Sequence, residues 1–61
     1  MDYYRLLSDY FSYTKGFECK CISFHESGSA IECYVEVVGE NQTFTNYISL
    51  FDLLTFVYSK K

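Results

Sequence analysis

The most regular pattern in the chain is the alternation of apolar and polar side chains from Ala30 to Val38. Apolar side chains fall on one parity, at Ile31, Cys33, Val35 and Val37. The other parity holds Glu32, Tyr34 and Glu36. A strand with one buried and one solvent-facing side has this two-residue period. We therefore predict that this segment is the central strand of a small antiparallel sheet.

A helical period precedes this strand, between Asp2 and Lys15. Asp2 is suited to cap the amides of the first turn, and Lys15 to lie at the negative end of the helix dipole. Gly16 can adopt the left-handed conformation that ends a helix. The i, i+3, i+4, i+7, i+8 spacing of the apolar residues predicts an amphipathic helix. These residues are Tyr3, Leu6, Leu7, Tyr10 and Phe11.

The segment from Phe17 to His25 is the first predicted strand, but its apolar side chains occupy both parities. The hairpin register decides which face each side chain occupies, since a slip of one residue reverses them all. With Ser27-Gly28-Ser29 as the loop, Glu26 pairs with Ala30. Cys19, Cys21 and Ser23 then lie opposite Val37, Val35 and Cys33, Lys20 lies opposite Glu36, and Ile22 lies opposite Tyr34.

A polar turn from Gly39 to Gln42 leads to the third predicted strand, Thr43 to Ile48. With Glu40 and Asn41 at the tip of the turn, Phe44 lies opposite Val37, Tyr47 opposite Tyr34, and Ile48 opposite Cys33. Ser49 followed by Asp52 indicates the cap of a second helix. The predicted buried stripe of this helix, which ends near Lys60 and Lys61, is Leu50, Leu53, Leu54 and Val57.

The predicted fold is α+β, a single domain spanning residues 1–61. A three-stranded antiparallel meander carries the N-terminal and C-terminal helices on one face. The inner face, under the helices, holds Cys19, Cys21, Ile31, Cys33, Val35, Val37, Phe44 and Ile48. The outer face is left uncovered, and an uncovered apolar surface marks an interaction site. The predicted partner-binding residues are Ile22, Phe24, Glu32, Tyr34, Glu36 and Tyr47 of the outer face, with Phe51 and Phe56 of the second helix.

The composition of the chain favours an interaction surface and argues against several other functions. Seven tyrosines and six phenylalanines in 61 residues exceed what a small core needs, which favours a binding surface and a homodimer. The net charge of -3, without a basic cluster, disfavours direct nucleic-acid binding. No apolar run approaches the ~20 residues of a membrane span. The absence of a signal-like pattern and the odd number of cysteines favour a cytoplasmic location.

One constellation has the chemistry of a metal site. Cys19, Cys21, His25 and Cys33 share the inner face in the predicted register, and zinc accepts thiolate and imidazole ligands. However, two cysteines separated by one strand residue do not match the usual zinc spacing, which uses a tight turn. Free cysteine is also among the most buried residue types. We therefore expect the cysteines to belong to the core, with no metal or cofactor.

No catalytic set is evident in the sequence. His25 has no evident nucleophile or carboxylate partner, and Glu32 and Glu36 are predicted to be several ångströms apart in a solvated setting, which does not suit a catalytic carboxylate pair. The three glycines do not form a phosphate-binding loop. We therefore expect that the protein is not an enzyme.

Two resemblances bear on function. The segment from Gly39 to Tyr58, with its run ISLFDLLTFVY, resembles the small uracil-DNA glycosylase inhibitor of φ29-type phages, in which a Ser-Leu-x-Asp-Phe run opens the helix. This resemblance implies a compact, dimeric phage inhibitor of a host enzyme. In that family a phenylalanine of the run helps to hold the target enzyme, and the matching position in this chain is Leu53. The element order, and the run ECYVEVV, are similar to double-stranded-RNA-binding domains. The second helix lacks their lysine-rich start, which implies a protein-binding member of that fold.

The function expected from the sequence is therefore a non-catalytic protein-binding module. Its most specific form is a small phage-type inhibitor of a host nucleic-acid or defence enzyme, acting in the host cytoplasm. Two alternatives remain open: a structural dimerisation or adaptor module, and a small metal- or redox-responsive protein that uses the cysteines.

Overall fold

The computed structural model describes residues 2–59 of the chain. Its elements are helix α1, three strands and helix α2, and the sheet order is β1-β2-β3 with both strand pairs antiparallel. The predicted α-β-β-β-α architecture is confirmed. The bounds are Tyr3–Lys15 for α1, Cys19–Ser27 for β1, Ala30–Val37 for β2, Gln42–Ser49 for β3 and Leu50–Ser59 for α2.

Helix α1 begins and ends where its sequence predicts. The Asp2 carboxylate accepts a hydrogen bond from the Arg5 amide at 3.2 Å, and so satisfies one of the free donors of the first turn. Gly16 ends the helix with a φ of 84°, a left-handed conformation that costs glycine little because it has no Cβ. Leu7 and Phe11 are the buried residues of the helix.

The inner face of the sheet is confirmed, and it forms the centre of the core. Leu7 and Phe11 of α1 and Leu53 of α2 pack on it. Phe44 is half-buried at its margin, where its ring approaches that of Phe11 at 6.2 Å. The remaining inner-face residues are all buried: Cys19, Cys21, Ile31, Cys33, Val35, Val37 and Ile48.

A β-bulge in β1 corrects the predicted hairpin. The pairs Cys19–Val37, Lys20–Glu36 and Cys21–Val35 are as predicted, but the register shifts between Cys21 and Ser23. Beyond the shift Ser23 lies opposite Tyr34, Phe24 opposite Cys33, and Ser27 opposite Ala30. The extra residue, Ile22, moves every later side chain of β1 to the other face. Phe24 therefore lies on the inner face and packs against the core, and its outer-face prediction was wrong.

The second hairpin keeps the predicted faces but not the predicted pairs. Val35 pairs with Phe44, Ile31 with Ile48, and Glu32 with Tyr47, a register two residues away from the prediction. The reason is a longer turn, in which the Glu40 amide donates to the Val37 carbonyl at 3.2 Å and Gly39 and Asn41 have φ values of 86° and 53°. A shift of two residues preserves side-chain parity, so the inner face survives the error.

Helix α2 starts at its predicted cap but is rotated about its axis. The Asp52 amide donates to the Ser49 hydroxyl at 3.0 Å. Of the predicted buried stripe only Leu53 is buried, whereas Phe56, predicted to be exposed, is buried against the rings of Tyr10 and Tyr13. Leu50 and Leu54 are exposed and Val57 is half-buried. The predicted end near Lys60 and Lys61 lies outside the described residues.

Helix α1 also covers the first part of the free edge of β1. The Cys21 amide donates to the Ser8 hydroxyl at 2.7 Å, and the Cys19 amide donates to the Ser12 hydroxyl at 2.8 Å. The Ser12 hydroxyl in turn donates to the Cys19 carbonyl at 3.2 Å. Two serines of the helix thus occupy the positions that a neighbouring strand would fill.

Candidate partner-binding surface

The outer face of the sheet lies opposite both helices. It consists of the side chains that alternate with the buried ones. On β1 the alternation starts again after the bulge, so that Ser23 and His25 belong to the outer face. Three cross-strand rows result from the register: His25, Glu32 and Tyr47; Ser23, Tyr34 and Thr45; Lys20, Glu36 and Thr43. Ile22, at the bulge, adds an exposed aliphatic side chain next to the second row.

The Glu32 carboxylate is the centre of this face. The Tyr47 hydroxyl donates to one carboxylate oxygen at 2.7 Å, and the Tyr34 hydroxyl lies 3.5 Å from the other. A phenol-to-carboxylate hydrogen bond is charge-assisted and therefore stronger than a neutral one. Strand pairing places Tyr47 directly opposite Glu32, and Tyr34 is two residues along on the same face. The acid and two aromatic rings thus form one preorganised group on a flat surface.

The electrostatics of the group keep the Tyr47 hydroxyl protonated. The hydrogen bond to Glu32, together with the negative charge of that carboxylate, raises the pKa of Tyr47 above its ordinary value. A phenolate beside the carboxylate would bring two negative charges together, so the neutral phenol is favoured. The phenol is therefore a fixed donor to Glu32, and both tyrosine rings remain open to solvent.

The predicted partner-binding residues are divided among three places. Ile22, Glu32, Tyr34, Glu36 and Tyr47 do share the outer face. Phe51 is exposed, but it belongs to α2 on the opposite side of the sheet. The other two predictions were wrong. Phe24 lies under α1, with ring centroids 6.1 Å from Tyr3 and 5.0 Å from Tyr4, and Phe56 is buried against α1.

A second exposed apolar surface lies on α2, and the sequence analysis predicted only its Phe51. We call it the α2 patch: Leu50, Phe51, Leu54 and Tyr58. Phe51 is 75% exposed and Tyr58 71% exposed, although the helix is apolar around most of its circumference. Leu50 and Leu54 line a groove of about 250 Å³, and Tyr3 and Leu6 of α1 form part of its other wall. A helix that is apolar all round is usually buried, which is the sequence signal for this patch.

The candidate metal ligands do not converge. The bulge places His25 opposite Glu32 on the outer face, whereas Cys19, Cys21 and Cys33 are buried on the inner face, so the prediction that all four side chains share the inner face was wrong. Within residues 2–59 no three His, Cys, Asp or Glu side chains are grouped as metal ligands. The three thiols are free, and burial raises the pKa of each.

Cys33 makes stability depend on pH in the alkaline range. Burial, with the nearby Cys21 thiol, raises the pKa of Cys33 from 9.0 to about 11. Between these values the unfolded chain loses this proton while the folded chain keeps it, so the free energy of unfolding falls as pH rises. We expect the melting temperature to fall between pH 9 and about 11, and the fall to be shallower in Cys33→Ala. Equal slopes for the two proteins would contradict this role of Cys33.

Comparisons with known proteins supply no further assignment. No helix of the described range 2–59 combines the length and the apolar character that crossing a membrane requires. No protein-family model, curated protein or solved structure matches the chain.

Proposed function

We propose that this chain is a non-catalytic protein-binding module that inhibits a nucleic-acid-processing or defence enzyme of a host cell. The observation that supports this proposal most directly is the outer face, where Glu32 is held between Tyr34 and Tyr47 on an otherwise uncovered sheet. Tyrosine is enriched among the residues that contribute most to protein–protein affinity. The two rings therefore provide anchors, and the hydrogen bonds to Glu32 limit the side-chain entropy lost on binding.

The charge of this face favours a basic partner. Glu32 and Glu36 lie four residues apart on the central strand, on the same face, with Lys20 opposite Glu36. Enzymes that act on DNA or RNA hold phosphates with lysine and arginine side chains. A sheet face with one carboxylate held in place, a second carboxylate on the same strand and flanking aromatic rings can occupy such a site, because complementary charge speeds association and orients the complex. The resemblance of residues 39–58 to a phage inhibitor supports the same class.

The alternative functions have less support. A metal-responsive protein is disfavoured because His25 and the three cysteines lie on opposite faces of the sheet. A catalytic role is disfavoured because the Glu32 carboxylate is already engaged by the Tyr47 hydroxyl and lies on an open sheet face rather than in an enclosed pocket.

The proposed function is tested by inhibition assays with matched variants. We would add the purified chain to uracil-DNA glycosylase, to a DNA exonuclease and to a restriction endonuclease, and expect stoichiometric inhibition of one of them. Replacing Tyr34 and Tyr47 together by serine should weaken that inhibition by about 30-fold or more, since one such anchor contributes about 2 kcal/mol. Circular dichroism should show that the double variant remains folded.

Tyr13→Ser provides the control, because Tyr13 is an exposed tyrosine on α1, away from the outer face. It should inhibit as the original chain does. Inhibition that survives the double substitution would show that the outer face is not the binding surface. Failure to inhibit or bind any of these enzymes would contradict the proposed class of target.

A further inference from the structure

The two edges of the sheet differ in how they are protected. The edge of β1 is occupied by the Ser8 and Ser12 hydroxyls, and the strand has a bulge. Strand β3 has fewer of the features that natural edge strands use against pairing, although the Asn46 side chain engages the Tyr47 amide. Its eight residues, QTFTNYIS, include no charge and no proline, and its pairing with β2 is regular throughout. The β3 edge is therefore a template for another strand.

The outward-pointing backbone groups of β3 can be identified. The Tyr47 amide donates to the side-chain oxygen of its neighbour Asn46 at 3.0 Å, so it points away from β2. In an antiparallel pair, alternate residues direct their amide and carbonyl groups to the same side. Thr43 and Thr45 therefore also present their backbone groups at the β3 edge, and their side chains belong to the outer face.

The α2 patch adjoins this edge along the chain. Helix α2 starts at Leu50, directly after β3 ends, and packs on both β3 and α1. At about 200 Å² per aromatic side chain, Phe51 and Tyr58 leave roughly 300 Å² exposed. Leu50, Leu54 and the edge of β3 add to this area. A specific interface buries at least about 600 Å² on each partner, and the combined surface approaches that lower limit.

We propose that the occupant of the β3 edge is a second copy of the chain, paired antiparallel about a two-fold axis through Thr45. The product is a continuous six-stranded sheet, with the two α2 patches packed against each other on its inner side. Two chains of net charge -3 repel each other, and this surface is where they can meet with least repulsion. Strand β3 is uncharged, and Asp52 is the one charged residue within α2 as described, 50–59.

The same surface satisfies the symmetry of a homodimer. In a two-fold contact each patch must be complementary to itself. Antiparallel pairing about Thr45 places Thr43 opposite Tyr47 of the other copy, so the outward backbone groups of this stretch acquire partners once the Asn46 side chain releases the Tyr47 amide. The outer faces of both copies stay uncovered in this dimer. Dimerisation therefore neither requires nor excludes the proposed inhibition, and it can be tested without a target enzyme.

The test is the mass of the reduced protein in solution by light scattering, from 1 to 100 µM. The original chain should be a dimer, and Thr45→Pro a folded monomer, because proline removes an outward amide without breaking a bond to β2. Thr45→Ala keeps that amide and should stay dimeric. Replacing Phe51 and Leu54 together by glutamate, at positions already exposed in one chain, should weaken the dimer by at least 100-fold. A monomeric original chain, or a dimeric Thr45→Pro, would overturn the proposal.

Hydrogen exchange decides the case in which Thr45→Pro does not fold. In the original chain the Thr45 amide should exchange at least 100-fold more slowly than an open amide, and the protection should fall on dilution. Fast exchange of the Thr45 amide at 100 µM would overturn pairing through β3, whatever the variants show.

Discussion

Phe11→Ala is expected to lower the free energy of unfolding by about 3–5 kcal/mol, the largest loss for a single substitution in this chain. The Phe11 side chain is 2% exposed, and its ring lies between Tyr10, at 5.2 Å, and Phe44, at 6.2 Å. The loss is large because the contacts of a buried ring disappear and a cavity remains. A domain of this size has a free energy of unfolding of about 3–9 kcal/mol. The single substitution therefore removes about half or more of the stability.

Urea unfolding followed by circular dichroism would measure this effect, at one fixed chain concentration because association adds to stability. Phe17→Ala is the matched control, since Phe17 is about half exposed in the connection between α1 and β1. We expect it to cost about 1 kcal/mol, in keeping with a partly exposed side chain. Similar losses for the two variants would mean that Phe11 is not the centre of the core.

Phe24→Ala is expected to cost about 2–3 kcal/mol, since it removes a partly buried ring from the core margin. The Phe24 ring packs edge-on against Tyr4 at 5.0 Å and is tilted against Tyr3 at 6.1 Å. These contacts exist only because the bulge at Ile22 turns Phe24 towards α1. Ile22→Ala, at the exposed residue of the same bulge, should cost less than about 1 kcal/mol.

The difference in stability loss between Phe24→Ala and Ile22→Ala tests the register of the first hairpin. Without the bulge, Ile22 and Phe24 would lie together on the outer face, and both substitutions would be nearly neutral. Chemical denaturation of the two variants distinguishes the arrangements. Equal and small losses would show that β1 is regular and that Phe24 is exposed.

The parts of the fold that could be predicted are those that a local pattern determines. Helix α1 has a stripe, a capping aspartate and a terminal glycine that all agree, and β2 alternates without a break. The inner face survived the error in the β3 register, because a shift of two residues leaves parity unchanged. Most of the outer-face surface was predicted for the same reason.

The parts that were missed depend on contacts between elements. The bulge at Ile22 gains its stability when Phe24 reaches the rings of Tyr3 and Tyr4, which no pattern within β1 reveals. The rotation of α2 was ambiguous because apolar residues surround the helix, so periodicity does not select one buried side. Phe56 is buried because it meets Tyr10 at 5.3 Å, a contact made between the two helices.

The serine hydroxyls on β1 have a consequence for how far assembly can proceed. A sheet with two open edges can add chains without limit, as fibrils do. Here Ser8 and Ser12 occupy the amides of Cys21 and Cys19, so the first part of the β1 edge is closed, and a bulge and the charged side chain of Glu26 follow it. Two chains joined through β3, as proposed above, would present only these protected edges to a third chain. Growth would then end at the pair, and two hydroxyl groups would help a small, aromatic-rich protein to avoid open-ended polymerisation.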